Sequence, residues 1–181
     1  MKFFQKPAVA LLLAVILVPV SLLLNTGIRL NAESRQLQES FYESSEEYGK
    51  APAYYINSRI SDAASLATVG SHYEELSAVT ETLRMARSTL VAAYESGYIY
   101  SMARANDELT KAVDTFAQAA ESVSFSEMDA ANYADRINAL AGAQRNLEQC
   151  SYNERAAEFK QMIRSNPLAA LVGVETPALF E

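Results

Sequence analysis

Residues 7–24 read PAVALLLAVILVPVSLLL, a run without charge in which Ser21 is the single polar side chain. As a helix the run is about 27 Å long, and continuing through Asn25, Thr26, Gly27 and Ile28 makes it about 33 Å, against a hydrocarbon core of about 30 Å. It is therefore read as a membrane-spanning helix. Residues 1–28 become an N-terminal anchor that meets the lipid bilayer through residues 7–28. Pro19 lies inside the run, where membrane helices tolerate a proline and kink at it. The competing reading is a cleaved signal peptide, because Lys2 and Lys6 form a basic start. A signal peptidase requires a small-x-small site soon after the apolar run, yet Leu24-Asn25-Thr26 and Leu30-Asn31-Ala32 both put Leu at the first small position.

Charges on either side of the run predict its orientation. Lys2 and Lys6 precede it with no acid among them, whereas Arg29 and Arg35 follow it interleaved with Glu33. Positive charge is retained on the cytoplasmic side, so a single pass of the cell membrane is expected, with a cytoplasmic N-terminus and the rest of the chain extracytoplasmic.

All 22 acidic side chains and all but two of the 15 Lys and Arg follow the anchor, so this part is more acidic than the net charge of −7 for the whole chain. A surface of that sign repels nucleic acid, and no nucleic-acid partner is expected. Six Gly, five Pro and no Trp, set among abundant Ala, Glu, Leu and Ser, describe helices rather than sheet. Cys150 is the one cysteine, so no internal disulfide forms and the fold rests on packing.

Apolar periodicity divides the remainder. Leu30, Leu37, Phe41 and Tyr48 lie on one helical stripe, with Gly49 and Pro52 as end and restart signals. Asn25-Thr26-Gly27 either continues the membrane helix into this one or forms a joint. The second stripe runs Ile56, Ile60, Ala63, Leu66, Val69, Tyr73, Leu76, Val79, Leu83, Ala86, Leu90. It keeps phase across Gly70, which predicts one helix of about 65 Å ending near Glu95; a break at Gly70 is the alternative. Met102, Leu109, Val113 and Phe116 mark a third helix. Ser126, followed by Glu127 and Asp129, is an N-cap with acids in the first turn, and opens a fourth helix that reaches Pro167. The predicted fold is all-α: an N-terminal transmembrane helix, then an antiparallel bundle of four long helices over 29–166, then an apolar tail over 167–181.

Catalytic groupings are missing from this pattern. One His and one Cys cannot build a zinc site within the chain, and a di-iron bundle needs two Glu-x-x-His pairs. The six scattered glycines supply no phosphate loop. Adjacent acids such as Glu74-Glu75 point different ways on a helix and read as a solvated face, and His72 reads as a surface histidine. No enzyme activity, metal or cofactor is expected.

A family resemblance emerges toward the C-terminus. Tyr152-Asn153, then Phe159, Pro167, an apolar stretch with Gly173, and a terminal Leu179-Phe180-Glu181 are similar to the closing signature of the LemA family. Elsewhere, Asn and Arg directly after the anchor, His72 with Glu75, Leu76, Val79, Thr80 and Glu81, and the run Ala105-Asn106-Asp107-Glu108-Leu109 follow that family's order. The chain departs from it at Glu148-Gln149-Cys150, where an arginine is usual, and in a serine turn at 122–126 in place of Tyr-Pro. The resemblance implies a divergent, single-pass bacterial membrane protein with a helical domain and no established enzymatic activity. Tyr152, Asn153, Phe159, Pro167, Gly173 and Phe180 are then the candidate motif or partner positions.

The expected role is a membrane-tethered, non-enzymatic interaction or scaffold protein with an unidentified protein partner, because Tyr suits interfaces by joining an apolar face to a polar tip. The alternative is a lipid- or ligand-binding protein of envelope homeostasis, with a gap between helices left by Ala63, Ala64 and Ala67. The tail is expected to dock, but so loosely that truncation after Asn166 leaves the melting temperature unchanged.

Overall fold

One uninterrupted helix, α1 (Pro7–Tyr42), carries both the apolar run and the first amphipathic stripe. It belongs to a computed structural model that describes residues 7–44, 49–174 and 176–180, with side chains from residue 15 onward. Tyr48 and the basic residues Lys2 and Lys6 fall outside the described residues. Asn25 to Gly27 is helical, so α1 continues without a joint for about 54 Å. Its environment changes along its length. Val15 to Leu24 and Ile28 are largely exposed, while Leu30, Leu37 and Phe41 are buried. The exposed half makes α1 long and apolar enough to cross a membrane.

The remaining helices are α2 (Pro52–Gly70), α3 (Ser77–Ser96), α4 (Ile99–Ala120), α5 (Glu127–Glu148), α6 (Ser151–Ser165) and the short α7 (Ala169–Val172), with a 3-10 turn at Glu74–Leu76. The described residues include no strand.

The single long second helix is corrected here, since α2 and α3 are two antiparallel helices. Arg87 Nε donates to the Ile60 carbonyl at 3.0 Å, although the residues are 27 apart and would stand about 40 Å apart in one helix. Close approach forces the break. A Cβ on Gly70 would lie 2.6 Å from the Phe116 ring and against Thr80 Oγ1, so only glycine lets the end of α2 sit on α3 and α4. The Ser71, His72 and Tyr73 amides close the turn on the carbonyls of Ala67, Val69 and Gly70.

The fourth predicted helix is likewise two. Asn153 Nδ2 donates to the carbonyls of Leu147 and Glu148 at 3.2 and 2.9 Å, capping α5, while Cys150 in extended conformation turns the chain into α6. Other boundaries fall where local chemistry puts them. Gly97, at φ +71°, closes α3, and Ser126 caps α5 by accepting from the Asp129 amide. The expected four long helices over 29–166 are therefore six shorter ones.

Residues 52–148 form a helical bundle around Ile56, Leu66, Leu76, Leu83, Leu90, Met102, Leu109 and Phe116, all fully buried. α5 runs against α2, with Arg136 on Asp62 at 2.8 Å, and against α4, with Asn106 donating to Gln144 at 2.9 Å. Ala63 and Ala67 are buried where α2 packs, and Ala64 is half-buried. Arg59 is buried as well. It donates to the Leu140 carbonyl and to Thr110 Oγ1, and its Nε has no partner. Burial lowers its pKa to about 10, against the opposing influence of Glu148, Asp114 and Asp107.

A second unit stands beside this bundle. α6 returns along α1, with the Tyr152 ring 5.4 Å from Phe41 at one end and Met162 and Asn166 beside Asn25–Arg29 at the other.

Candidate interaction site

The C-terminal segment binds to this α1–α6 pair. Asn153 uses its whole amide, accepting from the Phe180 N–H at 3.0 Å and donating to the Phe180 carbonyl at 2.6 Å, the pairing a neighbouring β-strand would make. Tyr152 donates its hydroxyl to the Ala178 carbonyl at 3.2 Å. The Phe180 ring then stacks on Phe41 at 5.5 Å and meets Tyr152 edge-on at 6.2 Å. Burial, with Cys150 and Tyr42 adding to it, pushes the Tyr152 phenol well above its ordinary pKa, so it stays a donor.

These contacts place the six candidate positions. Tyr152, Asn153 and Phe180 come together as a clasp, and Phe159 is buried farther along α6. Pro167 lies two residues beyond Ser165, the end of α6, in a turn where Asn166 accepts from the Leu168 and Ala169 amides. Gly173, at φ +70°, ends α7 in a left-handed conformation. Tyr152, Phe159 and Phe180 are thus buried, and Asn153 is engaged on both sides, so each makes contacts within the chain. The tail docks on the chain as expected, and Phe180 is only 1% exposed.

Docking the tail creates a cleft of about 340 Å³ between α1, the α3–α4 corner and Thr176–Ala178. Tyr42, Tyr98, Tyr100 and Tyr152 line it together with Gln38, Ile99 and other uncharged residues, and among the described residues no charged side chain lines it. Tyr42 donates to the Gly97 carbonyl at 3.0 Å, fixing its ring against the corner. Burial, then proximity to Tyr94, raises its pKa. Tyr98 and Tyr100 remain more than half exposed with their rings 6.2 Å apart. The sequence shows tyrosines at this corner, but not that Tyr42 and the tail complete a cleft with them. That requires α1, α6 and the tail to converge.

A polar cluster joins the α2–α3 turn to the start of α5. Asp129 accepts from the Tyr73 hydroxyl at 2.9 Å and from Ser126 Oγ at 3.1 Å, and His72 Nδ1 lies 3.3 Å from both its oxygens. The Tyr73 hydroxyl, then His72 and Ser126, hold the carboxyl below its ordinary pKa. Ser126 Oγ is occupied by Asp129 on both its donor and acceptor sides. The cluster fastens two corners together. The Cys150 thiol donates to the Leu147 carbonyl at 2.9 Å, and burial raises its pKa, which disfavours the reactive thiolate.

Comparison with known proteins gives no match to a family model, a curated protein or a solved structure.

Proposed function

We propose that this chain is a membrane-anchored, non-enzymatic interaction protein of the LemA type. Residues 7–28 cross the cell membrane with the N-terminus in the cytoplasm, and the helical domain presents the tyrosine cleft to a neutral segment of a partner protein. The cleft carries this reading. On a chain of net charge −7, an uncharged concavity with two half-exposed tyrosine rings favours an apolar or hydroxyl-rich segment over a charged one. The order of LemA-like motifs supports the family assignment, and the clasp gives its Tyr152-Asn153 and Phe180 elements a structural task.

Site-specific photocrosslinking in the producing cell tests this reading. A benzophenone side chain replacing Tyr98 or Tyr100 is expected to give discrete protein adducts, and the same group at exposed Met85 on α3 is not. Equal labelling from all three positions, or none from the tyrosine positions, would refute it. A small neutral ligand is the competing occupant, since about 340 Å³ reaches the lower end of ligand-pocket volumes. Native mass spectrometry showing a stoichiometric small molecule that Tyr98→Ala removes would favour that alternative.

A further inference from the structure

Large aliphatic side chains are exposed in one region of the chain. Among the described residues, every Val, Ile or Leu in this class lies on α1 between Val15 and Ile28, except Leu171. Leu171 is 73% exposed and sits on α7. α7 in turn packs on the end of that same apolar stretch. A Cβ on Gly27 would meet Val172 Cγ1 at 3.2 Å, so this glycine admits the helix to the surface of α1. Ala169 is buried, whereas Pro167, Ala170, Leu171 and Gly173 form an uncharged outer face. Arg29 and Arg164 lie near this level on α1 and α6, where headgroup phosphates would meet them if residues 7–28 span the bilayer.

We propose that α7 is a second membrane contact, a foot lying in the interfacial layer beside α1 with Leu171 inserted at the headgroup–acyl boundary. The inference rests on the anchor reading, and its occupant is the bilayer that the anchor crosses. Water would otherwise face the most exposed large apolar side chain among the described residues. Interfacial segments of this kind place aliphatic residues just below the headgroups and leave their ends at the surface. The foot would also fix the lean of the helical domain, because tilting α1 toward or away from the side that carries α7 would change the depth of Leu171.

The chain contains no Trp, so a single introduced Trp reports its own position. Full-length Leu171→Trp and Leu24→Trp variants would be reconstituted in phosphatidylcholine vesicles, and their emission compared with that in vesicles of shallow- or deep-brominated phosphatidylcholine. Ala170→Trp, on the same exposed face, replaces Leu171→Trp if circular dichroism shows the latter misfolded. The expected result is loss of emission for both sites, with shallow bromines the stronger quencher of residue 171. Quenching at residue 24 but not at residue 171 overturns the foot and leaves the anchor standing. Deep bromines quenching residue 171 as strongly as shallow ones overturns the interfacial placement, and absence of quenching at both sites removes the anchor and the foot together.

Discussion

Gly70→Ala separates the observed hairpin from a continuous helix by the sign of its effect. In an unbroken exposed helix, replacing glycine with alanine stabilises by about 1 kcal/mol. Here the added methyl would lie 2.6 Å from the Phe116 ring and against Thr80 Oγ1, and Phe116 and Thr80 are both buried. Neither neighbour has free volume to retreat into. Overpacking costs about 1–3 kcal/mol, and contacts under 3.0 Å with two different residues put this case at about 2–3 kcal/mol, so after a gain in helix propensity of about 1 kcal/mol the net loss should be about 1–2 kcal/mol. For a domain near 150 residues this lowers the melting temperature by about 2–8 °C. Thermal unfolding of the detergent-solubilised protein, followed by circular dichroism, measures it. Phe116→Leu in the Gly70→Ala background should return part of the loss, giving a coupling that the separate substitutions do not predict. A melting temperature unchanged or raised by Gly70→Ala would refute the close approach of α2 to α4.

At the clasp, Asn153→Ala removes both hydrogen bonds to Phe180 and should cost about 1–3 kcal/mol. Asn153→Asp should cost more than Asn153→Ala in the same melt at neutral pH, because a carboxylate would then face the carbonyls of Phe180, Leu147 and Glu148. Truncation after Asn166 should lower the melting temperature and speed amide exchange in α6, since it uncovers Phe41 and Tyr152. Arg59→Met is expected to be neutral or stabilising, as Thr110 Oγ1 also bonds Asn106 and the buried charge disappears, while Arg59→Ala should cost about 2–5 kcal/mol through its cavity; urea titrations of the pair measure the difference. The depressed carboxyl of Asp129 contributes stability present above the ordinary aspartate range near pH 3.9 and lost as pH falls through its folded value, so Asp129→Asn should melt lower than the parent at pH 7 and show a smaller acid-induced decrease.

What the sequence discloses follows the range of each interaction. The apolar half of α1, the Gly97 terminus and the Ser126 cap are legible because each depends on residues within a turn or two. The α2–α3 reversal is not, although a glycine marks it. Both helices bury the same broad stripe toward one core, so the apolar period keeps its phase through the turn just as it would along a single axis. Contact with Phe116 on another helix decides the matter, and no local pattern reports it. The α5–α6 break had a local sign in Asn153, whose amide can take helix-end carbonyls, but an unbroken apolar period masked it. Arg59 reads as the polar edge of its stripe, and only the convergence of α4 and α5 makes it a buried cation. Tyr152, Asn153 and Phe180 meet one another across 27 residues of sequence, and the local signal for that contact is the apolar tail that follows α6.

That tail connects two levels of the molecule. Val172 lies on Gly27 and Phe180 on Phe41, positions about 21 Å apart along α1. Between them Thr176, Pro177 and Ala178 form a wall of the tyrosine cleft. The wall is therefore held from below by packing of α7 on α1 and from above by Asn153. This makes the clasp residues poor direct reporters of a partner, since their loss deforms the cleft as well as the fold. Asn153→Ala should reduce photocrosslinking from residue 98 and also lower the melting temperature. Tyr98→Ser should leave the unfolding free energy within about 0.5 kcal/mol of the parent, as expected of an exposed side chain, while crosslinking from residue 100 still falls. Crosslinking from residue 100 that survives both substitutions would show that the partner reaches Tyr100 without needing the intact cleft, and leave the clasp with a structural role alone.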